Sequence, residues 1–293
     1  MSNKKENILI TGITGFLGRN LIKVISDQYS DRYNIIGCSL NPGKVLSLQN
    51  KVRQHKNIKV ECIDIVNDTF ELEKLFVDND IDYVIHSAAI KYMNFDDPVK
   101  LINTNVNGTL NVLKLANKYK VKNLIAISSD KANLPANTYG MTKALMESVV
   151  SHYVYSIYQG VNFLWSDGSV LDIWYDQIRK KNTDLTITNF DQERHYCHVT
   201  TVCIDLLTNL DQKNKILVPS KIFPIKLLDL YNNFIRLFAD KNVKTIECGN
   251  RQDEKLHEDL LENIAYNIES DVDIFEKLKF SFDNEDINLC LSF

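Results

Sequence analysis

Short β-branched apolar runs alternate with amphipathic stretches over the first 165 residues of this chain of 293. The runs at residues 7–11, 33–38, 58–62, 83–86, 123–127 and 161–165 read as strands. Between them the apolar positions recur every three or four residues. Val99, Ile102, Val106, Leu110 and Leu113 trace one such face within a helix predicted over 97–119, opened by Asp97 as cap and Pro98 in the first turn. Strands that are apolar throughout, each followed by a helix, imply a parallel sheet covered on both faces. The expected fold class is therefore α/β, a Rossmann-type doubly wound sheet.

Beyond residue 166 the pattern changes to helices separated by short strand-like pieces at 185–188, 216–218 and 244–248. The chain thus divides into a Rossmann-type domain, 1–165, and a smaller, less regular lobe, 166–293, packed against it. Residues 269–293 mix acidic and aromatic side chains and take no assignment. No repeat, low-complexity tract or linker interrupts the chain.

Composition narrows the class. Hydrophobic content of 44% and charged content of 25% are those of a globular protein, and a net charge of −4 offers nothing to nucleic acid or an anionic membrane. No apolar run approaches the roughly 18–20 residues that span a bilayer, and the opening MSNKKENILI lacks a secretory signal's apolar core. The six cysteines, at 38, 62, 197, 203, 248 and 290, form no Cys-x-x-Cys pair. Reduced thiols in the cytoplasm are the expectation. Cys197, His198 and Cys203 lie close together, but no second ligand pair follows at zinc-site spacing, so they read as buried side chains.

The stretch ILITGITGFLG places Gly12, Gly15 and Gly18 directly after the first strand and at the mouth of a helix. Glycines there permit a tight turn and let backbone amides approach a pyrophosphate. Thr14, Phe16 and Leu17 belong to the same loop. After the second strand, where NAD-binding chains carry an acid for the ribose hydroxyls, stand Ser39 and, further on, Lys44. A hydroxyl and a cation suit a 2′-phosphate, so NADP is expected ahead of NAD. Asp64 and Ile65 follow the third strand, where the adenine would lie. Ala88, Ala89 and Lys91 follow the fourth.

Chemistry concentrates in SSDKANLPANTYGMTK, residues 128–143. Tyr139 and Lys143 are four apart, hence on one helical face. A free phenol with a pKa near 10 is a poor base, and a neighbouring ammonium brings it toward working range. Asp130 and Lys131 precede them at a strand end, two ionisable groups more than a simple alcohol oxidation requires.

These residues resemble the extended short-chain dehydrogenases/reductases, and within them the inverting UDP-N-acetylglucosamine 4,6-dehydratases, which are also 5-epimerases. The resemblance runs through VIHSAAIKYM, INTNVNGTLNVL, the opening stretch and RQDEKLHE, and so covers nearly the whole chain. Its most specific element is Ser-Asp-Lys followed by Asn-x-Tyr-Gly-x-Thr-Lys. Ser129 stands where the family usually has threonine. Lys131 stands where dehydratases that retain C5 configuration carry glutamate.

The resemblance implies roles. Tyr139 takes the 4-hydroxyl proton, Lys131 the C5 proton, and Asp130 protonates the departing 6-hydroxyl. Lys91 becomes a substrate-side lysine. Asn105 holds backbone near Tyr139. Asn162, Arg194, Arg251 and Glu254 fall on the sugar-nucleotide side, the arginines toward the diphosphate. The helices over 97–119 and 137–158 pair between subunits in such enzymes, implying a homo-oligomer, dimer or hexamer. Three departures from the family pattern touch the pocket or loop: QGVNFLWSDGSV has lost an Arg-Tyr, Gln252-Asp253 replaces Pro-Gly, and Ile13 replaces a glycine. A UDP-sugar 4-epimerase needs the Tyr-Lys pair without Asp130 and Lys131. A non-catalytic NADP sensor needs neither.

Overall fold

The computed structural model describes residues 4–91, 97–180, 184–238, 243–249 and 255–287. The first half runs β1 (Glu6–Thr11), α1 (Phe16–Gln28), β2 (Tyr33–Ser39), α2 (Pro42–Val52), β3 (Ile58–Cys62), α3 (Thr69–Asn79) and β4 (Tyr83–His86). It continues with α4 (Pro98–Ile102), a π-helical turn (Asn103–Gly108), α5 (Thr109–Lys118), β5 (Asn123–Ser129), a 3₁₀ turn (Asp130–Ala132), α6 (Thr138–His152) and β6 (Ser156–Gly160). The second half holds β7 (Asn162–Phe163), α7 (Val170–Arg179), β8 (Asp184–Ile187), β9 (Glu193–Cys197) and α8 (Val199–Thr208). Then come β10 (Ile216–Leu217), β11 (Phe223–Lys226), α9 (Leu227–Phe238), β12 (Lys244–Glu247) and α10 (Ile274–Asn284).

Seven parallel strands form the main sheet in the order β10-β6-β5-β4-β1-β2-β3. The order reverses beside β1, which opens a crevice at the carboxyl ends of β1 and β4. This is the expected doubly wound fold. Strand alternation feeds two cores. Ile8, Ile10, Ile35 and Ile85 pack against Leu21, Ile25, Val45, Val202 and Leu206 on one face. Leu9, Ile36, Val84 and Leu124 pack against Leu72, Phe76, Leu113, Met146 and Val150 on the other.

Two expectations need correction. The sixth strand is Ser156–Gly160, not 161–165. Its polar Ser156 and Gln159 are buried because each is hydrogen-bonded, Ser156 Oγ to the Gln212 carbonyl at 2.5 Å and Gln159 Nε2 to Asn133 Oδ1 at 3.1 Å. The apolar run after it instead supplies β7, which joins β9 and β11 in a second sheet. The helix expected over 137–158 ends at His152, where Val154 takes a left-handed φ of 60° and turns the chain into β6.

Trp165 and Trp174 centre a third core with Leu171, Leu230, Phe234 and Leu278. Their indole N–H groups donate to the carbonyls of Leu278 and Thr186, at 3.2 and 2.9 Å. The unassigned acidic-aromatic tail therefore contributes α10 to this core. The strand expected at 216–218 returns to the main sheet as β10, and α8 packs into its core alongside α1.

Candidate active site

A cleft of about 1700 Å³ runs from the glycine loop, past the end of β5, to α7 and β9. That exceeds the roughly 300–1,000 Å³ of a one-ligand pocket, so two ligands fit end to end. Gly12 adopts φ 73°, and a Cβ there would meet the Ala88 backbone at 2.8 Å. Gly18 lets α1 press on the loop, since a Cβ would lie 2.4 Å from the Ile13 carbonyl oxygen. Gly15 caps α1 without a side-chain acceptor, which leaves the first-turn amides beginning at Phe16 and Leu17 for an anionic ligand.

At the end of β2, Ser39 Oγ is 2.7 Å from Thr14 Oγ1. Asn41 caps α2 by accepting from the Lys44 N–H at 2.9 Å, and the Lys44 side chain is exposed at the cleft. Asp64 is occupied locally: its carboxylate accepts from the Val66 N–H and from Asn67 Nδ2, at 2.8 and 2.7 Å. Ile65 is buried behind it, and Ala88 and Ala89 line the cleft.

His86 connects this wall to the long helix. Thr109 Oγ1 donates to the Asn105 carbonyl at 2.7 Å, so it accepts from His86 Nε2 at 2.8 Å. Nδ1 then accepts from Thr11 Oγ1 at 2.7 Å, and that oxygen accepts from the Ala88 N–H at 3.2 Å. One tautomer satisfies every bond. Burial, with Lys143 adding to it, pushes the imidazole down to about 3, so it stays neutral. Asn105 sits in the π turn and brackets Ile90, accepting from its N–H at 2.8 Å and donating to its carbonyl at 3.0 Å.

The catalytic candidates converge where β5 ends. Asp130 is buried; its Oδ1 takes hydrogen bonds from Ser129 Oγ at 2.8 Å and Lys131 Nζ at 3.1 Å. Its Oδ2 is buried with no hydrogen-bond partner among the described residues. An unpaired buried carboxylate oxygen is costly unless a ligand hydroxyl meets it. Lys131 also reaches Asn162 Oδ1 at 3.3 Å and Glu258 Oε1 at 3.9 Å. Desolvation and the Asp130 charge push the Tyr139 phenol up, while a hydrogen bond with Ser129 pulls the other way.

Lys143 is buried and donates to the Ile127 carbonyl at 2.7 Å. Burial pushes its ammonium down to about 8; Glu147 opposes this and Lys91 adds to it. Lys91 is exposed at the rim of the cleft and donates to the Asp167 carbonyl at 3.3 Å. Asn162 Nδ2 donates to the His195 carbonyl at 3.1 Å. Arg194 faces the cleft from β9 and donates to the carbonyls of Glu193, Leu256 and Lys255 at 2.9, 2.7 and 2.6 Å. Arg251 and Glu254 lie outside the described residues.

Residues 8–277 match a family described as polysaccharide biosynthesis protein. The chain belongs to the polysaccharide biosynthesis protein family. A relative from Campylobacter jejuni, named UDP-N-acetylglucosamine 4,6-dehydratase (inverting), is 28% identical over 99% of this chain and 88% of its own. The X-ray structure of Pen from Bacillus thuringiensis superposes with a TM-score of 0.79 at 27% identity, covering 87% of this chain and 83% of that one. The structure of dTDP-glucose 4,6-dehydratase from Bacillus anthracis in complex with NAD shares the fold, with a TM-score of 0.74 at 19% identity over 96% of this chain and 91% of that one.

In this member of the polysaccharide biosynthesis family, the structure adds two residues to those legible in the sequence. Glu258 faces Lys131 across the cleft, and only its place in RQDEKLHE hinted at it. Arg19 directly follows the glycine-loop segment, yet its carboxylate partners, Asp167 and Asp286, are remote in sequence. Cys197 and Cys203 are buried in the main core, and His198 Nδ1 is 2.6 Å from Ser281 Oγ. Among the described residues, no helix is long and apolar enough to cross a membrane, and no His, Cys, Asp and Glu cluster is suited to a metal.

Proposed function

We propose that this protein is an NADP-dependent nucleotide-sugar 4,6-dehydratase that acts on UDP-N-acetylglucosamine and inverts C5. The observation that carries the reading is the Asp130–Lys131 contact of 3.1 Å beside Tyr139, at the end of one strand in a cleft long enough for two ligands. Oxidation alone needs one proton acceptor. Elimination with inversion needs two further proton-transfer groups, and this site holds them.

Tyr139 accepts the proton of the 4-hydroxyl, with the Lys143 ammonium favouring its phenolate. The Gly12–Gly18 loop and the first amides of α1 would hold NADP, which would supply the hydride chemistry at C4 and C6. A carbonyl at C4 acidifies the C5 proton, which Lys131 removes. Asp130 protonates the 6-hydroxyl as the C6–O bond breaks, and water leaves. Lys131 returns the C5 proton to Asp130, Tyr139 releases the 4-hydroxyl proton to solvent, and a solvent proton added to C5 on the opposite face completes the inversion, so the net change is loss of one water. Lys131 must be neutral to act as a base, and Asp130 must carry a proton to act as an acid. Transfer of one proton across their contact prepares both.

The glycine loop, the uncapped amides of α1 and the cradle at Gly12 fit a dinucleotide pyrophosphate. Ser39, Lys44 and the N-terminus of α2 support NADP over NAD, and Asp64, at the cleft, keeps acceptor capacity for the adenine beyond its two local bonds. Arg194 and Arg251 are assigned to the diphosphate, with Lys91, Asn162 and Glu254 on the sugar side. The exposed Val99, Ile102, Met141 and Leu145 on α4 and α6 support a homo-oligomer built through these helices. The described cysteines are free, which suits a reducing cytoplasm.

Incubation with UDP-N-acetylglucosamine in heavy water tests the reading. Deuterium at C5 of a 4-keto-6-deoxy product is expected. A 4-epimer that keeps its 6-hydroxyl would assign the protein to the epimerases, and no turnover of any UDP-sugar would refute an enzymatic role.

A further inference from the structure

Arg19 stands on the first turn of α1, directly behind the glycine loop, and is only 8% exposed. Its Nη1 donates to the Thr14 carbonyl at 2.9 Å. Nη1 and Nη2 together grip the Asp167 carboxylate at 3.2 and 3.0 Å. From the other side Nε and Nη2 reach the Asp286 carboxylate and carbonyl, each at 3.4 Å. Asn20 completes that junction by accepting from the Asp286 N–H at 2.8 Å. One buried guanidinium thus joins the nucleotide loop, the turn after Trp165 and the stretch following α10.

The Asp167 contact is the informative one. Asp167 lies in a tight turn closed by the Ser169 N–H donating to the Ser166 carbonyl at 2.8 Å. The Gly168 N–H donates to Asp172 Oδ2 at 2.7 Å, and Ser169 caps α7. Turn and helix therefore move as one piece, and α7 brings Ile173 and Trp174 to the sugar side of the cleft. On the opposite wall Thr14, whose carbonyl Arg19 holds, carries the hydroxyl that meets Ser39. A buried ion pair is a poor means of stabilising a fold, because apolar side chains of like volume serve as well or better. A planar fork fixed on a carboxylate is, however, a good means of setting the distance and angle between two walls.

We propose that Arg19 is a positioning residue that links the two halves of the cleft, so that a dinucleotide at the glycine loop fixes the Asp167 turn and with it α7. This rests on the functional reading only in that the glycine loop binds a dinucleotide. Hydrogen exchange of residues 166–172 in the full chain, with and without saturating NADP and separately NAD, tests it. Wild-type protein is expected to exchange at least about threefold more slowly there once a dinucleotide binds. Arg19→Lys, which keeps the charge but loses the fork, and Asp167→Asn are both expected to bind the dinucleotide without that slowing. Equal slowing in both variants, or none in the wild type despite binding, overturns the proposal alone. Failure of either dinucleotide to bind overturns it together with the functional reading.

Discussion

Asn105 holds Tyr139 at one remove: its amide donates to Thr142 Oγ1 at 3.1 Å, and that hydroxyl donates to the Tyr139 carbonyl at 2.8 Å. Thr142→Val cuts this link while leaving both contacts of Asn105 with Ile90. Turnover is expected to fall about tenfold or more, the scale of a small misplacement at a reacting group. Dinucleotide affinity should hold; steady-state kinetics beside direct binding separates the two. Wild-type turnover in Thr142→Val would show that the link positions nothing.

Lys131→Ala leaves Asp130 buried without its counter-charge. Deuterium incorporation at C5 is expected to fall by about 10²-fold or more, as for loss of a positioned base. Reduction of the cofactor by the sugar, followed by absorbance, should persist because Tyr139 remains. Asp130→Asn should stop water loss and lower C5 exchange as well, because Lys131 then has no carboxylate to take its proton. Unchanged dehydration in either variant would refute the assigned role.

The buried Lys143 ammonium fixes an alkaline limb. It is held down at about 8 against an ordinary 10.5, so it is charged below that pH and neutral above it. Turnover supported by this charge should decline as pH rises through about 8. The same burial costs stability on the order of 1–3 kcal/mol at neutral pH. Between pH 8 and 10.5 the unfolded chain holds more protons than the folded one, so wild-type stability rises there. Lys143→Met should therefore be inactive yet more stable at pH 7, with its advantage shrinking above pH 8. A denaturant titration at several pH values reads this directly.

Glu285 shows the opposite sign. Burial pushes its carboxyl up to about 7 from 4.5, and Oε2 has no hydrogen-bond partner among the described residues. The folded protein binds the extra proton, so stability falls as pH rises from 4.5 through 7. Glu285→Gln should change little at pH 5 and stabilise by about 1–3 kcal/mol at pH 8. It keeps an oxygen for the Thr200 N–H, which Glu285 Oε1 meets at 3.1 Å. Thermal melts at the two pH values provide the comparison, and equal shifts at both would contradict a protonated Glu285.

Lys44→Ala should lower the preference for NADP over NAD by about tenfold, the low end for an exposed charge-assisted contact. Dissociation constants for both dinucleotides measure it. An unchanged ratio would move the phosphate contact elsewhere.

The strands β1, β2, β4 and the start of β5 stood in the sequence because each is a short apolar run buried on both faces, and β3, at the sheet edge, showed through Ile58 and Val60 although it buries only Val60. The capped start of α4 was equally plain, since Asp97 accepts from the Val99 N–H at 3.0 Å as its place before Pro98 suggests. β6 was hidden because its polar residues are buried through partners far along the chain. The end of α6 was hidden because Val154, with no glycine signal, makes the turn. In the site, Asp130, Lys131, Tyr139 and Lys143 were legible as a local motif. Arg19 and Glu258 were not, because only tertiary structure brings them to Asp167 and Lys131.

The π turn at Asn103–Gly108 fits one more residue into its span than an α-helix would. Deleting a single residue there would let regular winding cover the same span, so Val112, Leu113 and Ala116 would keep their places in the core. What the deletion removes is the wide turn itself, in which Asn105 meets both backbone groups of Ile90 and gives its carbonyl to the Thr109 hydroxyl. The extra residue thus serves the wall of the cleft rather than the packing of the helix.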